Sequence, residues 1–417
     1  MVRILFITPY YPPEISAPSI RISEMAMQLV KHGHQVTVLT TFPNFPYGVV
    51  AKEYRGHVLL REEREGVKII RVWSYATPNK GFLPRVLGQL SFGCLAAVLG
   101  WRAVGRPDVI LVESPPLFDA ISGRLLAWLK RRPFIFTVAD LWPEVAVQMG
   151  VLRNKLLIRL SEWLEWSTYR RAGLVWVVTE GLRQVLIKRG LPEERVFLLT
   201  NGVDTKLFRP LPQQDARAEL GWQEPFIVLY SGTHGLAQGL PTIIQAAELL
   251  QVHTDIHIYF VGEGAIKAEL IEQAQSKGLK NVTFLPSQPH ERLPLLLAAA
   301  DVCLVPLRKV ALFQWDLPVK MLEAMSCGRP IVLSADGVAR EIADEQAGAA
   351  VYAEPENAEA LAAAILRLRD HPELAEELGK RGRAFLIEHF DREKLVLDLE
   401  KHITGLLKAK RYKGVKE

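Results

Sequence analysis

Pro318-Val-Lys-Met-Leu-Glu-Ala-Met-Ser-Cys-Gly-Arg-Pro330, running on into Ile331-Val-Leu333, contains a whole helix-to-strand unit. Proline suits the first helical position, where its missing N–H is not needed, and Gly328 supplies the stop. The apolar run that follows reads as a buried strand. Lys320 and Glu323 are three residues apart and share one face near the helix's positive end. A lysine there can neutralise a pyrophosphate, and a carboxylate one turn on can accept two hydrogen bonds from a ribose diol. The same two residues can also be read as an ordinary surface pair contributing about 0.2–0.5 kcal/mol.

The unit repeats in both directions along the chain. Upstream, strands are expected at Val2–Thr8, Gln35–Thr41, Val67–Trp73, Val109–Glu113, Phe134–Ala139, Leu174–Val178 and Val196–Leu199. Helical patterns fall between them at Ile20–Lys31, Leu117–Lys130, Leu156–Arg171 and Leu182–Arg189. The rhythm restarts with strands at Phe226–Ser231, His257–Val261, Val282–Leu285, Val302–Pro306, Ile331–Leu333 and Ala349–Tyr352. Helices are expected there at Pro241–Leu250, Ala265–Lys277, Val319–Met325 and Ala358–Arg369. Near-continuous apolar strands separated by helices imply parallel sheets covered on both faces. The fold class is therefore α/β, two doubly wound, Rossmann-like domains facing a cleft. Ligands of such sheets bind beyond the carboxyl ends of the strands.

Length and charge agree with this division. A chain of 417 residues suits two domains. Asn201-Gly-Val-Asp and Phe208-Arg-Pro-Leu-Pro mark the boundary with turn residues. The expected domains are 1–200 and 201–385, with a C-terminal helix of about 386–417 returning to the first. Residues 1–200 hold 26 Lys/Arg against 16 Asp/Glu, and residues 201–417 hold 25 against 30. The basic half is suited to an anionic partner: a phosphate-bearing substrate, nucleic acid or an anionic membrane.

Cys94, Cys303 and Cys327 are scattered among apolar neighbours, which implies a reducing compartment and no structural disulfide. No stretch reaches the roughly 20 apolar residues of a spanning helix, so the expected location is cytoplasmic or peripheral to a membrane. Gly-x-Gly-x-x-Gly is absent, because Lys267 stands where the third glycine after Gly262-Glu-Gly264 would be. A P-loop, a Gly-x-Ser-x-Gly elbow, zinc-ligand spacings and Asp-x-Asp are absent too, so no metal is expected to be needed.

Ser231-Gly-Thr-His-Gly-Leu-Ala-Gln-Gly239 follows a strand and precedes a helix, a setting in which backbone N–H groups converge on an anion. A ligand-free glycine turn is the alternative. Asp140, opening Asp140-Leu-Trp-Pro-Glu144, and Glu113, before Ser114-Pro-Pro, end their strands in the layer where such sheets place catalytic groups, or serve as turn formers. Arg21 follows the proline-rich first loop and suits either an anionic acceptor or a helix end. Two stretches mix basic and aromatic residues. Lys80 to Arg106 carries Arg85, Arg102, Phe82, Leu83, Leu87, Phe92 and Trp101, and Arg153 to Arg171 carries Trp163, Trp166 and Tyr169. They read as membrane-surface helices or as core helices with solvated charges. No nucleic-acid-reading pattern is present.

The sequence resembles family 4 of the glycosyltransferases, retaining enzymes of the GT-B fold. The resemblance spans essentially the whole chain. It rests on Pro9-Tyr-Tyr-Pro-Pro-Glu14, Gly33-His-Gln-Val36, Asp140-Leu-Trp-Pro-Glu144, Asn201-Gly-Val-Asp204, Gly262-Glu-Gly264, Ala300-Asp301 and Leu322-Glu-Ala-Met-Ser-Cys-Gly-Arg-Pro330. Gly-Leu-Ala-Gln-Gly239 and Pro318-Val-Lys320 are most similar to the bacterial amino-fucosyl and colanic-acid branch. Trp315 stands where the family commonly has a carboxylate, and Thr233 and Gln238 where it has Arg and Lys, leaving Lys320 to supply the charge. Glu113 replaces a common histidine, and Ser16-Ala-Pro the usual glycine pair.

The resemblance implies transfer of a sugar, with N-acetylated amino sugars such as L-fucosamine as candidates, from a UDP-type donor. It implies a polyprenyl-diphosphate-linked saccharide as acceptor, retention at the anomeric carbon, and a place at the inner face of the cytoplasmic membrane. Gly232, Thr233, Gly235, Gln238, Glu263, Lys320, Leu322 and Glu323 are the expected donor residues, with Glu263 on the uracil side. Tyr10, Arg21 and Glu144 are expected at the acceptor, and Asp140, Glu113 and Lys320 in catalysis. An NDP-sugar 2-epimerase of the same fold and a non-catalytic membrane scaffold are the alternatives.

Overall fold

The computed structural model describes residues 1–14, 16–44, 48–77, 82–148, 150 and 152–413. Lys80 and the side chains of Phe82 and Leu83 lie outside the described set. The chain forms two compact units, 1–200 with 393–417, and 201–392.

The first unit is built on strands β1 (Arg3–Ile7), β2 (Gln35–Thr41), β3 (Leu59–Arg64), β4 (Val67–Val72), β5 (Val109–Val112), β6 (Phe134–Val138), β7 (Leu174–Val177) and β8 (Val196–Leu198). They form one sheet of order β3-β4-β2-β1-β5-β6-β7-β8. All pairings are parallel except that of β3 with β4. Neighbouring residues of β1 enter opposite layers, as the pleat requires. Leu5 and Ile7 join the core beneath α2 (Phe82–Gly100), α3 (Asp119–Lys130), α5 (Lys155–Arg171) and α6 (Glu180–Lys188). Ile4 and Phe6 join the core beneath α1 (Ala17–Lys31) and the C-terminal helix, Arg392–Lys413. The short α4 (Glu144–Gln148) carries the end of the Asp140 loop.

Helix starts follow local chemistry. Ser16, Asn154 and Thr179 each cap α1, α5 or α6 by accepting a hydrogen bond from a first-turn amide.

The second unit holds β9 (Phe226–Ser231), β10 (Ile256–Val261), β11 (Val282–Leu285), β12 (Val302–Pro306), β13 (Ile331–Ser334) and β14 (Ala350–Tyr352). These form a six-stranded, all-parallel sheet of order β11-β10-β9-β12-β13-β14. One face is covered by α7 (Gln213–Leu220), α10 (Leu293–Ala299), α11 (Val319–Ser326), α12 (Val338–Arg340) and the end of α14 (Pro372–His389). The other is covered by α8 (Leu240–Leu249), α9 (Lys267–Ser276) and α13 (Ala358–Asp370).

Two features differ from the sequence reading, β3 and the domain boundary, and a third, α2, settles on one of its alternatives. β3, Leu-Leu-Arg-Glu-Glu-Arg, is antiparallel and was not expected, because its charges suit an exposed edge and conceal the strand period. The Lys80–Arg106 stretch contains a regular helix, α2, that buries Phe92, in line with the core-helix alternative. The second unit continues to Arg392 rather than 385, because α14 packs into its core. Only the last helix (α15, Arg392–Lys413) belongs to the first unit, through Val396, Leu399 and Ile403.

α2 and α3 meet at Gly93, where an added Cβ would lie 2.3 Å from the Phe118 carbonyl oxygen. Ser122 ties the same crossing by donating to the Gly93 carbonyl at 2.7 Å and accepting from the Ala97 amide at 3.0 Å. Gly93→Ala is therefore expected to destabilise the chain by about 1–3 kcal/mol, read as a lower urea midpoint with an unchanged slope.

Candidate active site

In the second unit, five of the expected donor positions lie in loops leaving β9 and β10, at the carboxyl edge of the sheet. α11 starts at the same edge because it connects β12 to β13. Lys320, in its first turn, is turned inward. Its ammonium donates to Tyr230 Oη at 2.8 Å and Gln238 Oε1 at 3.1 Å, and lies 4.2 Å from the centre of the Tyr230 ring. Among the described residues no carboxylate touches it directly. Burial pulls its pKa down to about 7, opposed only by the nearby charge of Glu323.

Tyr230 Oη passes the chain on by donating to the Thr233 carbonyl at 2.7 Å. The Gly232 backbone sits at φ +143°, and a Cβ there would fall 2.8 Å from the Lys320 ammonium. Glycine thus leaves room for the lysine as well as for the turn.

The loop is narrower than an open nest of amides. Gly232 N donates to the Val261 carbonyl and His234 N to the Glu263 carbonyl, each at 2.9 Å, so two of the expected anion-facing donors are already used. A Cβ on Gly262 would lie 1.9 Å from the Gly232 oxygen, and one on Gly264 2.3 Å from the His234 oxygen. Only glycine lets the two loops close to this distance. Glu263 pairs with Lys267 at 2.8 Å, and that lysine also donates to the Gly262 and Leu285 carbonyls. The residue that spoils the third-glycine position is therefore a clamp on the loop.

Glu323 is buried, with His290 Nδ1 3.9 Å from its Oε1, and the His290 ring leans on Phe208. The Leu322 side chain is fully buried in the core, because that face of α11 packs on the sheet, which leaves its main chain to meet a ligand.

His234 was missed from the sequence. Its side chain is completely buried, and neither ring nitrogen has a hydrogen-bond partner among the described residues. Burial and the charges of Lys267 and Lys320 push its pKa down to about 4, so the ring is neutral at pH 7. Nothing in the glycine pattern singled it out.

In the first unit, Arg21 and Glu113 form a buried ion pair, with the Arg21 guanidinium 5.6 Å from the Trp176 ring centre. Burial raises the pKa of Glu113, and Arg21 opposes the rise. Asp140, more accessible than Glu113, is shifted upward by burial with Arg21 again opposing. Asp119 completes this group and was not expected from the sequence. It is fully buried at the start of α3, neither oxygen has a partner among the described residues, and burial together with Glu113 holds it well above the ordinary carboxylate range. The Tyr10 hydroxyl is also pushed up by burial, with Arg85, Asp119 and Glu14 in its surroundings. Glu144 pairs with Arg189 at 2.5 Å on the surface.

The Lys320 shift has a testable sign. An unfolded lysine titrates near 10.4 and the folded one at about 7, so between these values the unfolded chain holds the extra proton and stability rises with pH. Lys320→Met removes that dependence. The stability of wild type relative to the variant is expected to increase from pH 7 to pH 10 in urea titrations, and a difference independent of pH would count against a strained ammonium.

Known proteins similar to this chain give its family and fold. Residues 16–202 match the family model described as a glycosyl transferase 4-like domain, and residues 212–385 match glycosyl transferases group 1. The chain is 29% identical over 397 residues to WcaI of Escherichia coli K12, named as a colanic acid biosynthesis glycosyl transferase, covering 91% of this chain and 96% of WcaI. Sucrose-phosphate synthase of Thermosynechococcus elongatus has the same fold, with a TM-score of 0.73 at 23% identity over 97% of this chain and 99% of that one. HepE of Anabaena, solved in complex with UDP and glucose, superposes with a TM-score of 0.72 at 19% identity over 97% of this chain and 100% of HepE. Two consecutive domain matches, a relative aligned from end to end and shared two-domain folds place the chain in family 4 of the glycosyltransferases, enzymes of the GT-B architecture.

Proposed function

We propose that this enzyme moves a sugar from a uridine-diphosphate donor to a lipid-linked saccharide in the synthesis of a surface polysaccharide. The observation that carries the reading is the half-buried Lys320, which has no directly bound carboxylate among the described residues and lies one turn from a buried Glu323 at the carboxyl edge of the second sheet. An incoming diphosphate supplies the charge that this ammonium lacks, and Glu323 supplies the acceptor oxygens for a ribose diol. HepE, a structural neighbour solved with UDP and glucose, supports a uridine-diphosphate donor. The name of WcaI supports the polysaccharide context.

The chemistry then divides between the units. As the bond from the anomeric carbon to the diphosphate breaks, charge grows on the leaving group. Lys320, the remaining loop amides and the start of α8 stabilise that charge. In the first unit Asp140, the more accessible carboxyl, takes the acceptor hydroxyl proton. Glu113 holds Arg21 in place beside it. Retention at the anomeric carbon comes from the family resemblance, and amino sugars such as L-fucosamine belong in the donor screen.

A lipid acceptor is supported by the outer face of the first unit. Trp128 on α3 is 74% exposed and Trp163 on α5 is 63% exposed. Arg124 lies 5.9 Å from the Trp163 ring centre, and Arg102 and Lys130 flank Trp101. A cavity of about 550 Å³ along α5 is lined by Trp163, Trp166, Arg159, Arg170 and Arg171. Exposed indoles among cations suit the interface of an anionic bilayer. No helix among the described residues is long and apolar enough to cross a membrane.

Two outcomes are expected. UDP at a hundred times its Kd should stabilise the wild type by about 2.7 kcal/mol, and Glu323→Ala should lose the shift. Lys320→Ala should lower kcat/KM by roughly 100-fold or more. A shift with GDP or ADP alone would change the base, and none with any nucleotide would overturn the donor assignment. In the second, the wild type should sediment with vesicles containing anionic lipid, while the Trp128→Ser, Trp163→Ser double variant should stay largely in solution at an unchanged melting temperature. Equal sedimentation of the two would remove this face from the membrane reading.

A further inference from the structure

The transfer reaction uses the carboxyl edge of the second sheet, yet the amino edge of that sheet holds a cavity of about 800 Å³. Phe226, Asp301 and Pro330 line it where β9, β12 and β13 begin, and the end of α11 and one face of α14 form its walls. The volume is in the range of small-molecule sites.

Its charge is unbalanced. Arg329 and Arg383 both line the cavity, and neither has a carboxylate at ion-pair distance among the described residues. Asp301, the acid nearest to hand, is committed to Arg217 and to the Ile227 amide. Among the described residues Arg329 donates once, from Nη1 to the Ala300 carbonyl at 3.1 Å, while its Nε is buried without a partner there. Lys380 stands at the exposed rim, paired with Glu376 at 2.5 Å. A guanidinium with unused donors, beside a second one in a concave site, matches the fork geometry of a phosphate.

We propose that this cavity is a second ligand site, taking a small phosphate-bearing molecule on Arg329 and Arg383. Its occupant lies against the C-terminal end of α11, the helix whose first turn carries Lys320. The proposal goes beyond sugar transfer and does not depend on the identity of the donor.

The test is thermal denaturation of the full chain titrated with ribose 5-phosphate, against ribose in sodium chloride of equal ionic strength. That control matters because phosphate salts stabilise proteins generally by exclusion, without saturating. A saturable rise in melting temperature is expected in the wild type and in Lys320→Ala, with loss of the rise in Arg329→Gln. Lys380→Glu changes only the exposed rim, so it should fold, and it should weaken the apparent affinity roughly tenfold. This second variant decides the matter if Arg329→Gln does not fold. A rise lost in Lys320→Ala but kept in Arg329→Gln would assign the phosphate to the donor edge and overturn the proposal. An absent or non-saturating rise, or an unchanged affinity in Lys380→Glu, would overturn it as well.

Discussion

An ammonium taken out of water must find compensating charge or give up its proton, and in the second unit Lys320 is held between these choices. Tyr230 and Gln238 offer it oxygen acceptors but no formal charge, and Glu323 acts only at a distance, so the group titrates near neutrality. The surrounding geometry follows from keeping it there. Gly232 has no side chain because the lysine occupies that space. Tyr230 fixes the lysine with its ring and hydroxyl, and fixes the Thr233 carbonyl with the same hydroxyl. Gly262 and Gly264 bring the second loop against the first, and Lys267 closes it. The loops are thus organised before any ligand arrives, and electrostatic stabilisation of a leaving group needs this kind of preorganisation.

The first unit meets the inverse problem. Arg21 acts on Glu113 and Asp140, while Asp119 meets only burial and the charge of Glu113, so one guanidinium serves a group of three carboxyls whose pKa values are all raised. Asp119, the most deeply buried and without a partner among the described residues, is the one whose proton is hardest to remove. Glu113 keeps the direct contact with Arg21, and Asp140, nearer the surface, feels the same cation at longer range. The three therefore differ in proton affinity although their side chains are alike. An acid–base site is built from this kind of separation.

Much of this was legible in the chain because backbone rules act locally. Pro318 and Gly328 bracket α11 in the sequence as they do in the fold, and the strand series follows apolar runs that only a sheet buried on both faces can use. The three-residue spacing also put Lys320 and Glu323 at the start of one helix. The sequence did not give the inward turn of Lys320 onto Tyr230, because that contact joins residues 90 positions apart. Asp119 and His234 were passed over for a related reason. Their importance lies in missing partners, a property of three-dimensional surroundings that no spacing encodes. Glu144, in a distinctive motif, reaches a surface arginine that no spacing in the sequence announces. β3 was hidden because an edge strand protects itself with the charges that make it look like a loop.

The two edges of the second sheet carry different arguments. Cations near the end of a helix need no ligand to explain them, since they complement its negative pole and its unpaired carbonyls. Arg383 fits that account, because it donates to the Ser326 and Phe208 carbonyls just where α11 stops. Arg329 does not fit. It lies past the end of the helix, and among the described residues it gives one hydrogen bond to a carbonyl before β12 and keeps a buried Nε with no acceptor. An unsatisfied buried donor costs about 1–3 kcal/mol, more when it is charged, and a purely structural residue would be expected to avoid that cost. Capping thus explains one of the two guanidiniums, and the other is the one that an anion would complete.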